Sequence, residues 1–253
     1  MITCAADMHI HTVLSPCASR QMRPPAIVRA AIAKGMAVIA VCDHNSAGNV
    51  AAVREASLLS DGPEVIAGME ITTREEVHVL GLFPDDASAL AASADVLHGL
   101  PPWRPFQSEA SAGGRPAPQQ ELVDADGTIR GYEQKMLAAA SELGLCEAVL
   151  LIHRHGGLAV AAHMDRRSFS VPGQLGFLPP DVPFDGLEVT AAGAARGRAR
   201  EFAGHGLPLV CSSDGHFLVD IGAGFTVLEV REPVFPELAL AFRGVEGRRC
   251  SLA

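Results

Sequence analysis

Asp7-Met-His-Ile-His11 closes a short apolar run, Ile2-Thr-Cys-Ala-Ala6, of the kind that forms a buried strand. Strand side chains alternate with period two, so histidines at i and i+2 project to one face. Neutral imidazoles side by side are good ligands for a divalent cation. An isolated H-x-H is weak evidence. Its weight comes from similar polar residues at the ends of later apolar runs. Met36-Ala-Val-Ile-Ala-Val-Cys42, a strand pattern suited to burial on both faces, runs straight into Asp43-His44. Glu64-Val-Ile-Ala-Gly-Met69 ends at Glu70, and Leu158-Ala-Val-Ala-Ala162 ends at His163. Leu207-Pro-Leu-Val-Cys211 opens into Ser212-Ser-Asp214-Gly-His216.

Helical spacing separates these strands. Ile27 to Ala33 follows prolines suited to a first helical turn, and Ala47 to Leu59 gives a second helix. Thr72 to Glu75 is too short for a parallel crossover. Glu76 to Phe83 is therefore expected to return antiparallel, carrying His78 back across from Glu70. From Pro84 to Gly131 the pattern weakens to an alanine-rich helix (Asp86 to Leu97) and a proline- and glycine-rich excursion. Such excursions serve as lids or mobile segments. Trp103 and Phe106 within it either cover and stack over a site or anchor the loop to the body. Tyr132 to Leu145 and Glu147 to His155 read as consecutive helices. Gly186 to Thr190 and Gly224 to Val230 read as strands, with a basic helix over Ala194 to His205 and a closing one over Val234 to Phe242. The pattern predicts one α/β barrel over residues 1–253, with an insertion at about 84–131. In such barrels the strand ends gather on one face, where sites are built.

A chain of 253 residues fits one such barrel, and 48% hydrophobic with 19% charged residues is a globular composition. The net charge of −9 argues against non-specific nucleic-acid binding through a basic face. It leaves room for a phosphorylated substrate, because bound cations invert the local field. No apolar run approaches the ~18 residues of a membrane helix, and no signal peptide is evident. Six scattered cysteines without a C-x-x-C pair read as reduced thiols. The expectation is a cytoplasmic protein with no membrane partner.

Taken in order, Asp7-Met-His-Ile-His11, Cys42-Asp-His-Asn45, Gly68-Met-Glu-Ile71 with Glu76-Val-His78, Ala162-His163 and Ser213-Asp-Gly-His216 resemble the motifs of the PHP (polymerase and histidinol phosphatase) domain superfamily. The likeness is to its stand-alone bacterial members, with matching stretches Ser15-Pro-Cys-Ala18 and His163-Met-Asp-Arg166. It implies a distorted (β/α)7 TIM-like barrel holding two or three divalent ions of zinc, manganese or iron. Carried over by position, His9, His11, Glu70 and Asp214 would hold one metal. Glu70 would bridge to a second, completed by His78 and His163, and His44 and His216 would belong to a third. The third metal's further ligand falls at Cys17, where the family has His or Asp. Either Cys17 ligates or that metal is held differently.

The implied chemistry is hydrolysis of a small phosphorylated metabolite or nucleotide by a metal-bridging hydroxide, since metals lower the pKa of water and accept phosphoryl oxygens. Asp7 and Asp43 would orient ligand imidazoles, with Asp43 also a candidate at the reacting centre. Arg166 would grip phosphate, because a guanidinium fork fits phosphate oxygens, and Arg167 is a weaker candidate for the same task. Both arginines have a solvated-loop alternative. Two other functions compete. An amidohydrolase-like C–N hydrolase would suit H-x-H, but neither Lys34 nor Lys135 is placed as its bridging lysine. A non-catalytic metal-binding module would more often have lost ligands.

Overall fold

The computed structural model describes residues 1–104 and 119–253. Along the chain lie β1 (Ile2–Ile10), α1 (Pro24–Ala33), β2 (Val38–Val41), α2 (Val50–Leu58), β3 (Glu64–Thr72), β4 (His78–Phe83) and α3 (Asp86–Gly99). A hairpin follows, β5 (Glu121–Val123) with β6 (Ile129–Tyr132), then α4 (Leu145–Arg154), β7 (Leu158–Ala161), α5 (Val171–Leu175) and β8 (Gly186–Thr190). The remaining elements are α6 (Ala191–Ala195), β9 (Leu209–Ser212), β10 (Thr226–Val230), α7 (Phe235–Phe242) and β11 (Arg249–Leu252).

Nine strands form one sheet in the order β11-β10-β1-β2-β3-β4-β7-β8-β9. Seven of them, β1 through β9 in that order, make the expected barrel. The ring closes where the backbone after β9 meets β1: His11 N–H donates to the Gly215 carbonyl and Gly215 N–H to that of His9, both at 3.0 Å. All seven run parallel except β4, which the short link after β3 forces to return antiparallel. The other two strands, β10 and β11, pair antiparallel beside the first half of β1; β10 is the strand expected over Gly224 to Val230, and β11 exceeds the sequence expectation.

Alternation along the strands builds two cores. Val38, Ala40, Ile66, Leu80, Leu82 and Val160 fill the barrel, and α7 closes one end with Leu238 and Phe242. Ile39, Val41, Val65, Met69 and Ala161 face outward under α1, α2 and α4. Each such aliphatic side chain removed from water contributes about 1.5–3 kcal/mol. One irregularity matters for the site. Asp7 pairs with Ile39 but Ile10 with Val41, so β1 carries one extra residue. Before this bulge Ala6 and Met8 face the barrel interior. After it the odd-numbered residues do, which turns His9 and His11 inward. Bulges commonly re-aim side chains beside active sites.

Three sequence expectations need correction. Tyr132 to Gly144 is not a helix. Its end at Tyr132 pairs in β6, and the rest is held by side chains: the Asn45 amide donates to the Leu137 and Ala139 carbonyls at 2.9 Å. Ser141 N–H donates to the Thr72 carbonyl. The basic segment Ala194 to His205 yields only one helical turn and two 3₁₀ turns, because Gly197 and Gly206 adopt left-handed backbone at φ of 73° and 72°. Glu70 lies inside β3 and not beyond its end. Phe106 and most of the proline-rich excursion lie outside the described residues; Trp103 is half-buried, its N–H donating to the Gln134 carbonyl.

Candidate metal centre

Glu70 sits at the centre of the barrel mouth, fully buried. Five imidazoles surround its carboxylate: His78 Nδ1 at 2.7 Å, His44 Nδ1 at 3.0 Å, His163 Nε2 at 3.2 Å, and His9 and His11 Nε2 at 3.4 Å each. Burial alone would raise the Glu70 carboxyl, but His78, His9 and His44 reverse this and hold it well below the usual carboxylate range. It is an anion among rings.

The partners of the opposite ring nitrogens show what those rings present inward. His9 Nδ1 faces both Glu188 oxygens at 3.2 Å, so that nitrogen carries the proton. Ser15 Oγ donates to Asp43 at 2.6 Å, so it accepts from His11 Nδ1 at 3.0 Å. In the neutral imidazoles both Nε2 atoms are therefore bare lone pairs, and they stand 3.2 Å apart. Asp214 Oδ1 joins them at 3.4 Å from His9 and 3.2 Å from His11. Four acceptor groups converge with no donor between them, an arrangement that repels itself unless a cation sits inside. The His44 Nδ1 and Glu70 Oε2 atoms, buried, close to each other yet without a well-directed hydrogen bond among the described residues, add to the same demand. This donor set of neutral nitrogens and carboxylates fits divalent metal ions.

Burial, the larger influence, and the neighbouring rings of His216 and His44 keep His11 well below the ordinary histidine range, as a neutral ligand requires. His9 is raised well above it: burial opposes this, but Glu188, Asp214 and Glu70 outweigh burial. A proton thus competes for the place where a cation would sit. The Asp214 carboxyl is held low by His9 and His11 against burial.

A second grouping lies beside the first. His11, His44 and His216 offer donor atoms close enough to share one ion, as do His44, Glu70 and His78. Cys17 Sγ is 3.1 Å from His216 Nε2. Burial works to raise this thiol, yet hydrogen bonds to His216 and His44 bring it down to about 7.

The expected site residues thus meet at one barrel mouth, with two exceptions. Asp43, a candidate for the reacting centre, is turned away: its oxygens accept from Thr12 N–H and O–H, both at 2.7 Å, and from Ser15. It orients His11 only through Ser15. Asp7 touches no ligand imidazole side chain; it accepts from Ser213 N–H at 2.9 Å and Gly222 N–H at 2.8 Å, fixing the loop that carries Asp214 and His216. The imidazole-orienting carboxylate is Glu188, which sequence reading passes over. It also accepts from His163 N–H at 2.9 Å. Its signal is a lone acid in a strand of otherwise apolar residues. Arg166 reaches Asp214 Oδ2 with Nη1 at 2.6 Å while staying 45% exposed, and Arg167 is exposed on the same loop. His163 and Asp214 hold left-handed backbone at φ of 30° and 50°, uncommon for such residues and concentrated here at the site.

The family profile described as the PHP domain matches residues 7–174. A 5'-3' exoribonuclease of Haemophilus influenzae is 35% identical over 81 residues, 30% of this chain and 27% of that protein. The lesion-specific endonuclease Q of Pyrococcus furiosus superposes with a TM-score of 0.72 at 20% identity, over 98% of this chain and 58% of that one. Endonuclease Q in complex with a 27-mer duplex carrying an abasic lesion at its active site gives 0.69, also at 20% identity over 98% and 58% of the two chains. A Bifidobacterium adolescentis protein described provisionally as a metal-dependent phosphoesterase gives 0.56 at 21% identity, over 84% and 87%. The chain spans about a quarter of the exoribonuclease and little more than half of the endonuclease. These likenesses, to proteins named for cleaving nucleic acid, overturn the expectation of a small phosphorylated partner with non-specific nucleic-acid binding excluded. The net charge of −9 fails as a guide because it averages over the whole surface. A phosphate backbone meets only the local field, which cations and nearby arginines set. No helix among the described residues is long and apolar enough to cross a membrane.

Proposed function

Because this chain belongs to the PHP domain family, whose metal-dependent hydrolases share its barrel, we propose that it hydrolyses phosphodiester bonds of nucleic acid. The observation that carries the reading is the meeting of His9 Nε2, His11 Nε2, Glu70 and Asp214 within 3.4 Å, with both imidazoles held in the ligating tautomer from behind. Those four residues would hold one cation. Glu70, His78 and His163 would hold a second, and His44, His216 and Cys17 a third. A thiolate with two imidazoles suits zinc at the last position; the others suit manganese, iron or zinc.

Bound cations supply Lewis acidity and lower the pKa of water. The chain's own residues do the rest. Glu188 and Ser15 fix the rings of His9 and His11, so metal loading needs no ring reorientation. Glu70, ionised and central among five imidazoles, would be shared between neighbouring cations. Arg166, anchored on Asp214 yet half in solvent, retains free N–H donors for a phosphate oxygen. Nucleic acid as substrate is supported by the endonuclease and exoribonuclease likenesses.

The test is hydrolysis by protein loaded with manganese or zinc. The substrates are end-labelled single-stranded RNA and DNA, a duplex with an abasic site, and a set of phosphate monoesters. Cleavage of an oligonucleotide that stops on chelation and is lost in His9→Ala and Glu70→Gln is expected. Turnover of monoesters with every oligonucleotide intact would sink the proposal.

A further inference from the structure

Beside the imidazole cluster runs a feature the hydrolytic chemistry does not require. Arg166 and Arg167 follow β7, while Arg196, Arg198 and Arg200 follow β8 and α6. Five of eighteen arginines in this acidic chain thus fall on two neighbouring segments. Arg166, Arg167 and Arg198 line an open cleft of 590 Å³. Arg198 ties the segments together by donating to the Asp165 carbonyl, and within its own segment pairs with Glu201 at 2.9 Å, a contact a phosphate would have to displace. The Asp165 carboxylate accepts from Thr190, whose N–H and O–H donate at 2.8 and 2.7 Å; its charge remains and offsets part of the arginines'. Arg167 makes no ion pair among the described residues. Arg166 spans from this cleft to Asp214, so cleft and metal cluster share a wall.

Exposed aromatic rings stand at the metal cluster that shares this wall. Phe169, two residues beyond Arg167, stacks on His78 with ring centroids 4.6 Å apart and remains 41% exposed. Its φ of 60° is a left-handed conformation that a bulky side chain rarely adopts. Phe217, next to His216, is 55% exposed. A monoester would need one guanidinium grip. Several guanidiniums in a cleft that adjoins exposed rings match a polymer whose phosphates repeat and whose bases offer flat faces.

We propose that this cleft binds an unpaired polynucleotide strand, with Arg167 and Arg198 on phosphates flanking the scissile one and Phe169 beneath a base. The assignment rests on the nucleic-acid reading of the metal centre. Its test compares metal-loaded wild type with Arg167→Ala, Arg198→Ala and Phe169→Gly. Substrates are a labelled single-stranded oligonucleotide and bis(p-nitrophenyl) phosphate, a diester without a polymer. Phe169→Gly removes the ring while relieving the left-handed backbone, so the fold is kept. Each variant is expected to raise the oligonucleotide KM about tenfold or more, with the loss on the small diester at least about tenfold smaller. Each lost arginine should flatten the plot of log kcat/KM against log salt by about 0.7 for the single strand. An unchanged oligonucleotide KM, or equal losses on both substrates, overturns the cleft assignment. So does a wild type that cleaves the small diester with no preference for the polymer. A wild type that cleaves neither overturns the hydrolytic reading itself.

Discussion

Replacing Glu188 probes the centre without touching a residue that faces it. Its two oxygens serve two buried donors, His9 Nδ1–H at 3.2 Å and His163 N–H at 2.9 Å. Glu188→Gln preserves the shape but presents an amide N–H to one of those donors, so one contact turns repulsive. If His9 loses its acceptor, its ring is free to change tautomer and withdraw the Nε2 lone pair. Loss of such an orienting partner weakens metal affinity by about 10–100-fold. Glu188→Ala strips both acceptors, and at about 1–3 kcal/mol per orphaned donor the cost is about 2–6 kcal/mol. For a chain of this size that lowers Tm by roughly 5–20 °C. Metal titration followed by elemental analysis reads the first effect, and thermal unfolding of chelated protein the second. Wild-type metal affinity in Glu188→Gln, together with an unchanged Tm in Glu188→Ala, would refute the orienting role.

Four further outcomes are expected. Chelation should lower Tm, since a metal at a hundred times its Kd adds about 2.7 kcal/mol per site; an unchanged melting curve would argue against occupied sites. In metal-free protein, alkylation of Cys17 should rise with pH through a midpoint about 7, because the thiolate is the nucleophile and the imidazoles stabilise it. Loading with cobalt should block the alkylation and give a sulfur-to-metal absorption band that Cys17→Ser lacks. Asp7→Ala should destabilise by about 3 kcal/mol or more, through two charge-assisted bonds lost to the Asp214 loop, as denaturant melts would read. Gly68→Ala should cost about 1–3 kcal/mol by overpacking. Its Cβ would lie 2.9 Å from the Val41 carbonyl and 3.1 Å from that of Gly81, two residues from Glu70; a neutral result would mean β3 can shift freely.

Much of the barrel was legible because its strands are largely apolar and most carry a ligand-type residue at or near one end. His9, His11, His44, Glu70, His78, His163, Asp214 and His216 do meet. What stayed hidden depends on contacts distant in sequence. Nothing local in Asp7 to Ile10 marks the bulge that turns His9 inward; it is a matter of register against β2. Met136, Leu137 and Leu143 have helical spacing, yet the segment runs irregularly because the Asn45 amide and the Gln120 side chain supply its hydrogen bonds from afar. Asp43 and Glu188 are both buried acids, and only their donors separate them. The ligand rings claim one, while Thr12 and Ser15 claim the other.

The ring of strands is sewn shut between segments about two hundred residues apart, with the His9 and His11 backbone bonded to Gly215 and the Asp7 carboxylate to Ser213 and Gly222. During synthesis the histidine pair emerges some two hundred residues before its carboxylate partner Asp214. Over that stretch of synthesis a nascent chain carries metal-seeking imidazoles but cannot assemble their complete cradle. Ion capture in the native arrangement waits until the last-made part of the barrel has docked on the first.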